Sequence, residues 1–229
     1  RHSHELNLPL WELGHIGWFS DWWITRNPEL ANGAAAHPDV PRLPPNRPGA
    51  DDLYNSSAVA HATRWALDLP DAQALRADLK ANLDNTLTCL SLAQEDDQGL
   101  YFFRLALFHE DMHTEAATYM AQTLGIDPFS QGAQPHPAPQ ASTTTETLRM
   151  PATDWSLGRN GPGFDFDNER GLFRQAIPPF EIDSQPVTWA RYLPFVECGA
   201  DSAREYWSAS GWAWHQAQAS STPRYLRHT

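Results

Sequence analysis

The sequence predicts an α+β chain in two parts: an antiparallel helical bundle over residues 1–129 and, after a linker at 130–147, a β-containing piece over 148–229. Three observations predict it. Apolar residues recur at three- and four-residue steps in three long segments before residue 126. Pro, Gln and Thr then dominate without any period. Beyond them, short β-like pieces alternate with Gly, Pro and Asn.

The first helix is expected over residues 9–26, where Leu10, Leu13, Ile16, Gly17, Phe19 and Trp23 share the helical step. Pro9 suits a first turn and Asn27-Pro28 stops the helix. His15 sits among apolar residues beside Gly14 and Gly17, whose small size lets another element approach closely. A buried core histidine is the plain reading. A metal ligand is preferred, because a histidine pair elsewhere needs a third donor.

Residues 28–53 are rich in Pro, Ala, Gly and Asn and read as a long surface connection. A short capped helix is expected from Ser56 to about Leu69, ahead of Pro70. Residues 71–93 form an amphipathic helix with Leu75, Leu79, Leu83, Leu87 and Leu90 on one stripe. The last helix of the bundle runs over about 99–124 and closes at Gly125.

That last helix carries Phe108-His109-Glu110-Asp111-Met112-His113-Thr114-Glu115. A spacing of four places His109 and His113 on one helical face, one turn apart, where two imidazoles can hold a divalent metal. The same letters spell H-E-x-x-H, the zinc-protease signature, so the third ligand decides between two chemistries. Bundles build metal sites from inward side chains of facing helices, and His15 with His109 and His113 suits that plan. Glu115 is a candidate for orienting a ligand from outside, or is a plain helix-surface charge.

In the second part, β-like pieces are expected at Trp155-Ser-Leu-Gly, Phe164–Glu169, Gln175-Ala-Ile and Phe180-Glu-Ile. A short helix is expected at 186–197 despite Pro194, and Trp207, Trp212 and Trp214 cluster after it. The chain starts without Met, as if entering mid-structure, and ends before a sheet could close. A fragment of a longer protein is therefore expected.

Composition narrows the function. The net charge of −12, without a basic cluster, argues against nucleic acid and anionic membranes as partners. No apolar run reaches the ~18–20 residues of a membrane span. Cys89 and Cys198 make neither a disulfide framework nor a thiolate zinc site, which suits a reducing cytoplasm. The ten Trp read chiefly as core, though aromatic walls also hold cations.

Three stretches carry a resemblance. Leu10-Trp-Glu-Leu-Gly-His15-Ile-Gly-Trp-Phe and Phe108-His109-Glu-Asp-Met-His113-Thr-Glu115 resemble the two ligand helices of the EgtB-type sulfoxide synthases. Phe164-Asp-Phe-Asp-Asn-Glu169, Pro186-Val-Thr and Trp207–Trp214 resemble the start of their second domain, which is related to formylglycine-generating enzyme and has a C-type-lectin-like fold. The resemblance implies a DinB-like four-helix bundle holding Fe(II) through His15, His109 and His113, followed by part of that second domain. It implies a non-heme iron enzyme that uses O₂ to join hercynine (Nα-trimethylhistidine) to a sulfur or selenium donor. The family's catalytic tyrosine and trimethylammonium site are expected beyond residue 229, so no general acid is assigned.

Two departures bear on the donor. Actinobacterial-type members have Gln just before the last ligand histidine; Met112 stands there, which removes an expected hydrogen bond to the substrate imidazole. Those members also bind the carboxylates of γ-glutamylcysteine with an Arg-x-x-Arg pair, and the matching stretch here is His61-Ala-Thr-Arg64. His61, Arg64 and Met112 are thus the substrate-binding candidates. A neutral selenosugar needs no such clamp, and the motifs are most similar to the selenoneine-forming branch. γ-Glutamylcysteine or cysteine is the alternative donor, and a zinc protease or a non-catalytic metal-binding module a remoter reading.

Overall fold

The structure is a computed structural model that describes residues 5–127, 144–199 and 202–218. It is α+β, and the chain divides into two compact units: residues 1–137 with 156–173, and residues 138–155 with 174–229. Most of the expected linker at 130–147 lies outside the described residues.

The first unit is a helical bundle arranged about α1 (Pro9–Ser20), with α2 (Ala50–Tyr54), α3 (Ala72–Leu92) and α4 (Tyr101–Leu124) all packed against it. Pro9 occupies the first turn of α1, as its fixed φ and missing N–H allow. After Ser20 the helix widens into a π-helical turn, Asp21–Thr25, which ends the segment expected as one helix. Asp71 caps α3 by accepting from the Ala74 N–H at 2.8 Å, and Gly125, at φ 70°, closes α4.

The glycines of α1 are close-approach positions. A Cβ on Gly14 would lie 2.2 Å from the Tyr54 ring, and one on Gly17 would lie 2.9 Å from Leu79. These contacts let α2 and α3 settle onto one face of α1. Trp11, Trp18, Ala50, Tyr54 and Leu75 form one core cluster; Ile24, Tyr101 and Phe102 form another, with Trp23, Cys89 and Phe164 packed onto it.

Two expectations change here. The helix expected at 56–69 is instead a turn followed by a 3₁₀ segment, His61–Ala66. The Asn55 side chain takes the Ser57 N–H, and the Arg64 guanidinium takes the carbonyls of Ser56 and Val59, so side chains occupy groups a helix ladder would need. The leucine stripe of α3 also parts from the buried face after Leu79. Asn82 turns inward, its amide donating to the Gly17 carbonyl at 3.1 Å, while Leu83 and Leu87 are each 52% exposed.

Residues 156–173, expected to lie with the second part, pack on the bundle instead. The Tyr101 hydroxyl donates to the Asp165 carbonyl at 3.3 Å, the Gly163 N–H donates to Asp97 at 2.7 Å, and Phe108 meets Phe164. The segment Phe164–Glu169 is not a strand: Glu169 accepts from the Phe166 N–H and closes a turn.

In the second unit, β1 (Thr147–Met150) pairs antiparallel with β4 (Phe180–Asp183), Thr147 opposite Asp183 and Met150 opposite Phe180. The strands β2 (Thr153–Leu157) and β3 (Phe173–Ile177), each containing a point where the chain passes from one unit to the other, make a second two-stranded sheet. Helices α5 (Trp189–Glu197, with Pro194 inside) and α6 (Ala209–Ala217) follow. No helix among the described residues is long and apolar enough to cross a membrane.

Candidate metal centre

The bundle brings His15 of α1 against His109 and His113 of α4. The Nε2 atom of His109 lies 3.2 Å from that of His15 and 3.1 Å from that of His113. Two imidazole nitrogens each about 2.1 Å from one ion are about 3.0 Å apart at a right angle and about 3.4 Å apart at the tetrahedral angle. These two separations fit donors shared by one ion, and the three ligand atoms all lie within 4.8 Å of one another.

The groups behind the rings decide which nitrogen faces inward. His15 donates its Nδ1–H to the carbonyl of Tyr54 at 2.8 Å, one of the acceptors left without an intrahelical partner at the end of α2. His113 donates its Nδ1–H to the carboxylate of Glu12, one turn before His15 on α1. Both rings thereby point Nε2 at the shared centre. His109 is held by stacking: Phe19 lies parallel to it, 3.6 Å between centroids. Trp11 stacks on His15 at 4.8 Å.

Protonation agrees with this. Burial, reinforced by the neighbouring imidazoles, pushes His15 down to about 4 and His109 down to about 3, so both are neutral near pH 7. Burial works against the Glu12 charge, but the bonds from His113 and Asn7 outweigh it and hold the carboxyl below its usual range. The result is a set of nitrogen lone pairs converging where no proton is needed, next to a buried negative charge. Such a set repels itself until a cation enters.

No family model matches the chain. Among curated proteins it is 30% identical to the hercynine oxygenase of Mycolicibacterium smegmatis over 98% of its length. It is 25% identical to that of Mycobacterium tuberculosis over 95%, and 26% identical to that of Mycolicibacterium thermoresistibile over 98%. The chain is similar to the hercynine oxygenases over nearly its whole length. It spans about half the length of these relatives, 51%, 49% and 49% respectively.

Other residues that the resemblance to the EgtB-type synthases points to fall in different places. Met112 is half exposed beside His113, and His61 is exposed on the 3₁₀ segment. Arg64 is buried: it donates to Asn7 at 3.0 Å and to the carbonyls of Ser56 and Val59, and its guanidinium lies 3.8 Å from the centroid of Trp11. Glu110, the base that a zinc protease would use, is exposed, and the third imidazole comes from the N-terminal side of the pair. Glu115 is exposed as well, and the orienting carboxylate is Glu12. A signal for Glu12 was present: it is the one carboxylate in the apolar run Pro9–Ser20, three residues before His15.

Proposed function

We propose that His15, His109 and His113 hold Fe(II), and that the whole enzyme uses O₂ to join the imidazole of hercynine to a selenium donor, a selenosugar. The observation that carries the metal is the convergence of three Nε2 atoms, with the His15 and His113 rings oriented from behind by Tyr54 and Glu12 and the His109 ring held by Phe19. The relation to the hercynine oxygenases supports the substrate. When bound, Fe(II) would supply open coordination positions and electrons for O₂.

The chain's own residues account for the rest of this reading. Three neutral imidazoles leave the ion's charge undiminished, which favours an anionic selenolate or thiolate beside it. The outer Glu12 carboxylate offsets part of that charge without occupying a position on the ion. Phe19 and Trp11 pack against the ligand rings and keep water from their faces. Met112 offers no hydrogen bond beside the last ligand and leaves an apolar contact there. In the net reaction the C–H between the ring nitrogens and the Se–H are lost. A C–Se bond forms, one oxygen atom ends on selenium, and the other leaves as water.

The choice of donor rests on charge. A dicarboxylate donor is best gripped by paired guanidinium groups. His61 replaces one of the pair, and the other, Arg64, has its donors engaged inside the bundle. A neutral sugar makes no such demand. A reducing cytoplasm, in which both cysteines stay free, suits a selenol substrate.

The test is anaerobic reconstitution of the full-length protein with Fe(II). O₂ and hercynine are then added with either a selenosugar or γ-glutamylcysteine, and products are read by mass spectrometry. A selenium adduct of hercynine is expected. A γ-glutamylcysteine sulfoxide instead would assign the protein to sulfur chemistry, and no adduct despite bound iron would remove the reaction altogether.

A further inference from the structure

We infer that Arg64 is a positioning residue for the metal centre, acting through Asn7 on the Glu12 carboxylate that orients His113. The inference rests on the metal reading above and gives Arg64 a task other than gripping a substrate carboxylate.

The chain of contacts is continuous. The Arg64 Nη1 donates to Asn7 Oδ1 at 3.0 Å; Asn7 Nδ2 donates to Glu12 Oε1 at 2.5 Å; the other oxygen of Glu12 accepts from His113 Nδ1. The chemistry of the ends fixes the middle. A guanidinium only donates and a carboxylate only accepts, so the group between them must accept on one side and donate on the other. A side-chain amide does this, and the partners leave Asn7 one orientation.

The relay is anchored at its outer end. Arg64 is 8% exposed, and its Nε and Nη2 donate to the carbonyls of Val59 and Ser56, so the guanidinium is held by backbone rather than by a mobile side chain. Its flat face lies on Trp11, and Trp11 stacks on His15 with the rings 10° from parallel. One cation therefore braces two of the three ligands, His113 through hydrogen bonds and His15 through a ring. Removing Arg64 frees Asn7 to turn. A turned Asn7 would present its oxygen to Glu12, which repels it, and the carboxylate would lose its fixed aim at Nδ1.

Co(II) binding to the full chain, followed by absorbance against a competing chelator, tests this without turnover. Glu12→Gln is expected to weaken binding by about 10–100-fold. Arg64→Met and Asn7→Leu are each expected to weaken it by roughly 3–10-fold, as members one and two bonds further out. In the Glu12→Gln background, Asn7→Leu should add less than about twofold, because the link it works through is already cut. Asn7→Leu leaves the Arg64 bonds to Ser56 and Val59 in place, so it reports on the relay even if Arg64→Met loosens the loop. In the metal-free protein, ¹⁵N spectra should show His113 as the Nδ1–H tautomer, and Asn7→Leu should mix the two tautomers. Full multiplicative loss for Asn7→Leu on top of Glu12→Gln, or unchanged Co(II) affinity and tautomer in Asn7→Leu alone, would overturn the relay. Failure of the metal reading looks different: His109→Ala would then bind Co(II) as tightly as the unaltered chain.

Discussion

Trp11 and Trp155 are the same residue in two settings. In the bundle, Trp11 is 1% exposed, donates its indole N–H to the Leu53 carbonyl at 2.7 Å, and stacks on a candidate ligand. In the second unit, Trp155 is 57% exposed, as are Phe180 at 44% and Ile182 at 53% on the β1–β4 ladder. Among the described residues no side chain of β1 to β4 is buried. Both regions carry apolar side chains at the period their backbone demands. The bundle supplies a second surface for them to meet, and the described part of the strand-bearing unit does not. Hydrophobic pattern sets secondary structure; a matching surface decides whether it becomes a core.

The sharpest test of this contrast is at the site itself. His113→Ala is expected to abolish Co(II) binding at micromolar metal, measured by absorbance titration, because the donors all come from the bundle. Substitution of His215 in the second unit should leave the titration unchanged. Packing gives the next largest effect. Leu75→Ala should cost about 2–5 kcal/mol in urea unfolding, since Leu75 is 1% exposed, whereas Phe180→Ala should fall within about 0.5 kcal/mol. Equal losses at the two positions would break the comparison. Gly14→Ala is expected to cost about 1–3 kcal/mol, because its Cβ would enter the Tyr54 ring. It should also weaken Co(II) binding, since the Tyr54 carbonyl orients His15.

The smallest effect concerns acid. Bonds from Arg26, which outweigh the cost of burial, hold the Asp51 carboxyl below its usual range. A depressed carboxylate contributes stability above the ordinary Asp pKa of about 3.9 and loses it as pH falls through the folded value. Unfolding curves of the bundle should therefore weaken below about pH 4, and Arg26→Met should flatten that part of the profile. The contribution is modest because the Asp51 side chain is 38% exposed.

Much of the bundle was legible. The i, i+4 spacing of His109 and His113 and the glycine-flanked His15 specify one helical face each, and those faces meet. Glu12 was harder to read, because a carboxylate in an apolar helix declares that it has a partner but not which one. The α3 stripe misled for a physical reason. Leucines at 83 and 87 continue the period, but the interior takes Asn82, since the Gly17 carbonyl and Asn46 offer it bonds that repay its burial. The role of Arg64 was not legible from its motif, because Asn7, which redirects it, is 57 residues away in the chain.

The π-helical turn Asp21–Thr25 has a consequence for length rather than composition. It holds one more residue than an α-turn, and each helical residue turns the chain beyond it by about 100°. Arg26 emerges from it aimed at Asp51, and Asp51 heads the short helix whose far end holds His15. Deleting any single residue between Ser20 and Arg26 would keep nearly every side chain and swing Arg26 away from its partner. This stretch is therefore expected to accept many substitutions yet resist insertion or deletion, so a gap in an alignment here would mark a chain whose site is braced in another way.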